Sequence, residues 1–516
     1  MRASGILLHI SSLPSPHGIG TMGAAAKDFV DFLVKAGQAY WQILPVCPTS
    51  YGDSPYQSFS TFAGNPYFID LDLLAKADLL QPEEYEAIDW ESTPDCVNYG
   101  ALYQKRYAVL HKACARLLAA PPADYADFLA KNAFWLPDYA LFMALKDAHN
   151  GVCWQQWEEP LRRREPETLA AARAKYAADI DFWQAVQYLF YTQWRDLKAY
   201  ANAKGIEIIG DLPIYVAEDS VDVWSCPQEF QLDENLVPTE VAGCPPDGFS
   251  ATGQLWGNPL FDWDAMAANG YAWWVRRIRH LCGIYDVLRI DHFRGFAGYY
   301  AIPYGDKTAE NGRWRTGPGY ALFATVKKEL GSPRIIAEDL GFLTDDVRAL
   351  LKECAYPGMK VLEFAFDSRD GGDYRPHSYP TNCIAYTGTH DNEPVDGWFG
   401  TALPDDIERA IQYLNLTKEE GMNWGMMRGI WSSVADLAVV QAQDVLGLGH
   451  EARMNTPATL GGNWCWRALP GAFTPELAQK LHDAMELYGR LPEEPAAEPD
   501  ETEKSEDAEK AAEPKT

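Results

Sequence analysis

The sequence has no apolar run approaching the ~20 residues that a membrane-spanning helix needs, and over its 516 residues the mean hydropathy is −0.28. The opening MRASGILLHI is apolar only from Gly5 to Leu8, before His9, and no small-residue cleavage site follows, so it does not read as a secretory signal. Positive charge is scarce. There are 44 Lys and Arg against 73 Asp and Glu, a formal net charge of −29. That balance excludes the basic footprint of a nucleic-acid binder and argues against an anionic membrane surface. Cysteine pairing motifs are lacking as well. The ten cysteines, Cys47, Cys96 and Cys114 among them, stand singly, with no C-x-x-C and no short zinc-type spacing. This reads as reduced thiols in a cytoplasmic protein. No G-x-G-x-x-G or Walker loop follows any apolar run, and His9 has no H-x-H partner. The signals for a dinucleotide site and for a dinuclear hydrolase are therefore missing.

The chain does have a large potential core, with 47% hydrophobic and 13% aromatic residues. Its 18 tryptophans and 27 tyrosines offer flat faces suited to cores and equally to sugar rings, which are apolar on their C–H faces and polar at the rim. From Glu493 to Thr516 there are ten acidic and three basic residues and no aromatic. We read 491–516 as a disordered acidic tail and 1–490 as one catalytic domain.

Seven short apolar runs end abruptly in polar residues: GILLHISS (5–12), YWQILPV (40–46), IEIIGDLPIYV (206–216), VLRIDHF (287–293), RIIAEDLG (334–341), VLEFAF (361–366) and CIAYTGTHDN (383–392). Such runs suit parallel strands buried on both faces. Helical patterns lie between them, at Ala24 to Ala36, Tyr271 to Cys282, Tyr320 to Leu330 and Asp345 to Cys354. Repeated strand and helix means α/β, and polar groups at many strand ends favour a (β/α)8 TIM barrel, which gathers those ends on one face. A mainly helical insertion is expected at ~75–200 between the second and third strands, with Phe182, Val186, Leu189, Phe190 and Leu197 as a buried stripe. A second insertion, ~218–262, is rich in glycine and proline.

Three carboxylates stand at predicted strand ends: Asp291 in LRIDHFRG, Glu338 in IAEDLG and Asp391 in TGTHDN, with Asp211 in GDLPIYV preceding them. Charged groups at a barrel mouth are costly to desolvate unless they meet a partner, which makes a function plausible. Arg289 is two residues before Asp291, on the same face of a strand. It is expected to keep Asp291 ionised and its pKa low, as a nucleophile needs. Glu338 sits among Ile335, Ile336, Ala337 and Leu340, where partial burial raises a carboxyl toward the range of a general acid. One nucleophile and one acid/base is the pairing of a retaining glycosidase, whose carboxyls are ~5–5.5 Å apart. His292 and His390 flank the site and can donate to sugar hydroxyls. The same groups leave a Mg²⁺ or Zn²⁺ reading open. The segment 243–259, GCPPDGFSATGQLWGNP, reads as a lid loop presenting Trp256 and Asn258. The segment 50–66 places Tyr51, Tyr56, Ser54 and Ser58 on the same face.

Taken together, LRIDHFRG, IAEDLG, TGTHDN, GDLPIYVAEDSVDVW, GCPPDGFSATGQLWGNP and SGILLHISSLPSPHGIG resemble the 4-α-glucanotransferases of glycoside hydrolase family 77 (amylomaltase, disproportionating enzyme). The resemblance runs from about Arg2 to Arg490. It implies a (β/α)8 barrel with insertions and no separate C-terminal β domain. It implies retaining transfer of an α-1,4-glucan segment from a maltooligosaccharide or glucan to the 4-hydroxyl of glucose or another glucan. The motifs then carry Asp291 as nucleophile, Glu338 as acid/base and Asp391 as transition-state stabiliser. Tyr56, Asp211, Trp256, Asn258, Arg289, His292, His390 and Asn463 fall to substrate binding and carboxylate orientation. No metal or other cofactor is implied, and neither nucleic acid nor membrane is a partner. A hydrolase using the same residues and a Mg²⁺-dependent barrel enzyme are the alternatives. The chain departs from the family at Glu393-Pro394, where a more hydroxylated or acidic pair is expected, and this is anticipated to reshape the rim near Asp391.

Overall fold

The computed structural model describes residues 2–246, 250–341, 343–368 and 374–493. Within them lie twelve strands: β1 (Ala3–Leu7), β2 (Tyr40–Gln42), β3 (Glu207–Leu212), β4 (Glu240–Cys244), β5 (Gln254–Pro259), β6 (Val287–Ile290), β7 (Gly298–Pro303), β8 (Arg313–Thr316), β9 (Ile335–Ala337), β10 (Gly358–Val361), β11 (Cys383–Tyr386) and β12 (Leu437–Gln441). Eight of them form a closed barrel in the order β1-β12-β11-β10-β9-β6-β3-β2, every neighbouring pair parallel. The chain is a (β/α)8 barrel. The strands are apolar because both faces are covered, with side chains filling the interior and helices lying outside. β6, β11 and β12 are buried along their whole length.

Seven of the barrel strands lie in or beside the apolar runs, but two details differ. VLEFAF is not a strand: β10 ends at Val361 and Leu362–Phe366 is a 3₁₀ helix. The pairing partner Tyr386 at the end of β11 stands opposite Val361, so the ladder stops there and the apolar residues turn inward as a helical turn. The eighth strand, β12, is LAVVQ, five buried residues that close the barrel between β11 and β1. This run leads directly into a helix, Ala442–Leu446, and its polar stop, Gln441 followed by Gln443 and Asp444, lies within that turn.

Between β2 and β3 lie the two longest helices among the described residues, Tyr99–Ala119 and Ala177–Ala203, with Leu136–Ala148 between them. The Phe182, Val186, Leu189, Phe190 and Leu197 stripe is buried at helical spacing, as a two-sided helix interface requires. A four-stranded antiparallel sheet, β5-β4-β7-β8, stands beside the barrel and is built from segments that follow β3 and β6. After β12 come only helical elements among the described residues, ending with Pro475–Leu487. The fully buried Arg490 then donates to the carbonyls of Trp431, Ile430 and Ser433, and to that of Ala3 at the start of β1, which ties the two ends of the barrel chain together. No helix among the described residues is long and apolar enough to cross a membrane. All but the first three residues of the expected acidic tail, 491–516, lie outside the described residues.

Candidate active site

β3, β6 and β9 are adjacent, and their register builds the site. Asp211 on β3 is paired with Arg289 on β6, so both side chains point the same way. Ile290 on β6 is paired with Ala337 on β9. Asp291 and Glu338 are the next residue past each, and so emerge side by side at the C-terminal ends of the strands, where barrel active sites lie. Gly210 is required beside Asp211, since a Cβ there would lie 2.2 Å from the ring of Tyr285.

Arg289 is the hub. It is 3% exposed; Nη1 meets Asp211 Oδ2 at 2.6 Å and Nη2 meets Asp291 Oδ1 at 3.1 Å. Tyr56 donates its hydroxyl to the same Asp211 oxygen at 2.7 Å. Glu338 is held differently. Its Oε2 accepts the His292 N–H and its Oε1 the Leu340 N–H, both at 2.7 Å. His292 supplies that N–H from a left-handed conformation, φ 49° and ψ 48°, which few side chains adopt without cause. The turn also sets its ring edge-on to Trp256, with centroids 4.8 Å apart.

Burial pushes the Asp291 carboxyl well above the ordinary carboxylate range; Arg289 opposes this, while Asp211, Glu338 and Asp391 add to it. The expectation that Arg289 would hold it low is thus corrected: one guanidinium is shared between two carboxylates, and the neighbouring acids are invisible in the local sequence. Burial raises Glu338 as well, against Arg289 and the two N–H donors. Burial lowers His292 to about 3, and lowers His390 too, with Asp391 pulling the latter back up. Both rings are neutral hydrogen-bonding groups near pH 7.

Asp391 stands on the far side of this group. Its side chain is half-exposed, with Oδ1 3.4 Å from His390 Nε2. Asn455 donates its amide to the same oxygen at 2.6 Å. Tyr56 stacks on His390 at 5.0 Å between ring centroids, and Trp464 leans on both rings. Asp211, Arg289, Asp291, Glu338, Tyr56, His292, His390 and Asp391 are therefore one connected cluster.

Two residues named from the sequence are engaged elsewhere. Asn258 is buried, its amide donating to the Val216 carbonyl at 2.8 Å and facing Gln57, with Gln57 Nε2 3.2 Å from its Oδ1. The reading of 243–259 as a loop is corrected in part: its two ends are strands, β4 running to Cys244 and β5 from Gln254, and 247–249 between them lie outside the described residues. Gly243 and Gly253 serve close packing, since a Cβ on them would lie 2.2 Å from the Gln254 carbonyl oxygen and 2.5 Å from the Cys244 carbonyl oxygen, whereas Gly257 has open space beside it. Asn463 closes its own loop, accepting the Thr456 N–H at 3.0 Å and donating to Thr459. Sequence reading missed Asn455, Arg453 and Trp464. Nothing local marks Asn455 in RMNTP, because its partner is 64 residues away. Nor does Glu393 reshape the rim: it is 8% exposed and ion-paired with Arg453.

Residues 8–471 match the glycoside hydrolase 77 family, described as 4-alpha-glucanotransferase. The chain is 50% identical to the 4-alpha-glucanotransferase of Clostridium butyricum, over 94% of this chain and 100% of that one. It is 47% identical to that of Thermus thermophilus, over 95% and 99%. Among solved structures it is similar to the amylomaltase from Streptococcus agalactiae in complex with acarbose, with a TM-score of 0.93 and 43% identity over 95% of this chain and 100% of that one.

Proposed function

The chain belongs to the 4-alpha-glucanotransferases of glycoside hydrolase family 77, and from that premise we propose that it moves an α-1,4-glucan segment from a maltooligosaccharide or glucan to the 4-hydroxyl of glucose or another glucan. Asp291 attacks the anomeric carbon and forms a covalent β-glucosyl-enzyme. Glu338 protonates the departing glycosidic oxygen and then takes the proton of the incoming sugar hydroxyl. Asp391 stabilises the charge that develops on the distorted ring between these steps, through the 2- and 3-hydroxyls.

The observation that carries the reading is the unequal treatment of two adjacent acids. Asp291 touches the Arg289 guanidinium at 3.1 Å, whereas Glu338 is met by two backbone N–H groups and no cation among its described contacts. Two neighbouring carboxyls in a buried site titrate as a pair and hold one proton between them. Burial raises both carboxyls, and the reactive state of the pair is the one with the charge on Asp291, against the guanidinium, and the proton on Glu338. That is the state in which an attack and a protonation can be concerted across one bond. Adjacent strands ~4.8 Å apart suit the short carboxyl separation of retention over inversion. Neutral His292 and His390 and the Tyr56 hydroxyl are hydrogen-bonding groups for sugar hydroxyls. The Trp256 ring supplies a face for a pyranose and shields the intermediate from water, while buried Trp464 supports Tyr56 and His390 from behind.

Incubation with maltotriose tests this. Glucose and a ladder of longer chains are expected with little gain in reducing ends, whereas steady release of reducing ends without longer products marks a hydrolase. Asp291→Asn is expected to abolish transfer, and retained transglycosylation in that variant overturns the assignment of the nucleophile.

A further inference from the structure

Behind Asp391 lies a ring of contacts that the reaction scheme does not use. Arg453 places its three guanidinium nitrogens on three different groups. Nη1 meets Glu393 Oε1 at 2.5 Å, Nη2 donates to the Asp391 carbonyl at 2.6 Å, and Nε donates to the Asn455 carbonyl at 2.9 Å. Asn455 returns to the first segment twice, with its side-chain amide on Asp391 Oδ1 at 2.6 Å and its backbone N–H on the His390 carbonyl at 3.1 Å. Glu393 is fixed in turn, since His450 Nδ1 lies 3.0 Å from its carboxylate and Gln441 donates to its carbonyl at 3.1 Å. The segments 390–393 and 453–455 are thus closed into one unit through a single planar cation.

The arrangement is one that few side chains can make. A guanidinium presents donors in fixed, divergent directions, while an ammonium is a point charge with three mobile donors. Glu393, nearly buried, orients the guanidinium by an ion pair and without it would keep only the exposed His450 ring beside its charge. Asp391 itself is half-exposed, and apart from the long contact to His390 its carboxylate is fixed in the described structure by the Asn455 amide. Its direction is therefore set from one side, by a residue whose own backbone Arg453 holds. A group that acts only in the transition state is sensitive to such support, because a displacement of about 1 Å costs about 100-fold in rate.

We propose that Arg453, oriented by Glu393, is a positioning residue that aims the Asp391 carboxylate through Asn455. The proposal rests on the role given above to Asp391. It assigns the Glu393-Pro394 departure a function beneath the site, at the anchor of this unit.

The test is a mutant cycle with maltotriose as substrate, read as kcat and KM separately beside a thermal melt. Arg453→Lys preserves a cation for Glu393 but cannot span the Asp391 and Asn455 carbonyls together. It is expected to lower kcat about 10- to 100-fold with KM nearly unchanged, and Asn455→Ala to do the same. In an Asp391→Asn background neither change is expected to lower the residual rate by more than about twofold, since the group they aim is already gone. An Arg453→Lys enzyme with parental kcat, alongside an inactive Asp391→Asn, sinks the proposal and leaves the reaction scheme standing. An equal fall in both backgrounds shows a merely structural part and also overturns it. Parental kcat in Asp391→Asn removes the role of Asp391 and the proposal with it. If Arg453→Lys melts before assay, the Asn455→Ala cycle decides on the same criteria.

Discussion

Arg289 shows how much one residue decides here. It reaches both Asp211 and Asp291, and its contact with Asp291 breaks the symmetry between two buried acids. Burial raises Glu338 against Arg289 and two backbone N–H donors. As a general acid it must be protonated, so the alkaline limb of the pH profile is expected above the ordinary carboxylate range. Glu338→Gln should lower transfer from maltotriose by about 100- to 10,000-fold. The first half-reaction should recover in part with a maltosyl donor bearing a good leaving group, such as fluoride, which needs no proton. A pre-steady-state burst assay measures this, and no recovery at all would remove Glu338 from the role of acid.

At the scale of elements, the reaction depends on strand register. Asp211 opposite Arg289, and Ile290 opposite Ala337, bring four functional groups from three strands to one end of the barrel. Anything that shifts β3 shifts Asp211. Gly210 is the sensitive point, because a methyl group there would stand 2.2 Å from the buried ring of Tyr285. Neither strand nor helix can yield without moving the register. Gly210→Ala should cost about 1–3 kcal/mol by overpacking, with a lower Tm and a loss of activity beyond that of the melted fraction. Adding Tyr285→Leu makes room and should recover part of both; thermal melts and initial rates on the single and double variants check it. The antiparallel sheet is a second positioning element, since β5 carries Trp256 to the ring of His292.

Across the whole molecule, buried ionisable groups pull stability in opposite directions with pH. Burial lowers His280 to about 4, and His9 and His292 to about 3. Each binds protons more readily in the unfolded chain, whose histidines titrate near ~6.5. The stability such a histidine contributes is present above that pH and is lost as pH falls toward its folded value. Asp444 has the reverse sign. Burial raises it to about 7, so its penalty is full above that pH and fades as pH falls toward the unfolded value near ~3.9. The parent melt is a sum of such terms, and single variants separate them. His280→Gln, relative to the parent, should gain about 1.4 kcal/mol per pH unit between about 6.5 and 4. Asp444→Asn should show its advantage near neutral pH and lose it in acid. Parallel melts across pH 4 to 8 decide both, and equal slopes for parent and variant refute the assignment.

Much of this protein was legible in its sequence because a parallel strand buried on both faces must be apolar, and a barrel must present its strand ends to solvent on one side. A short apolar run that stops at a carboxylate records both facts within ten residues, which is why Asp211, Asp291, Glu338 and Asp391 could be picked out with Arg289 and the fold. β12 escaped although LAVV also stops at polar residues, Gln441 and then Gln443 and Asp444, because only four apolar residues precede them; VLEFAF misled because a buried 3₁₀ turn is as apolar as a strand. Tertiary structure alone decided the rest. Asn455 and Arg453 reach Asp391 across more than sixty residues of chain, Asn258 finds its partners on the segments that follow β2 and β3, and the direction of the Asp291 pKa follows from burial first and then from acids on neighbouring strands. Local chemistry is written in order along the chain, whereas the field and the contacts at a site are sums over whatever folding brings within a few ångströms.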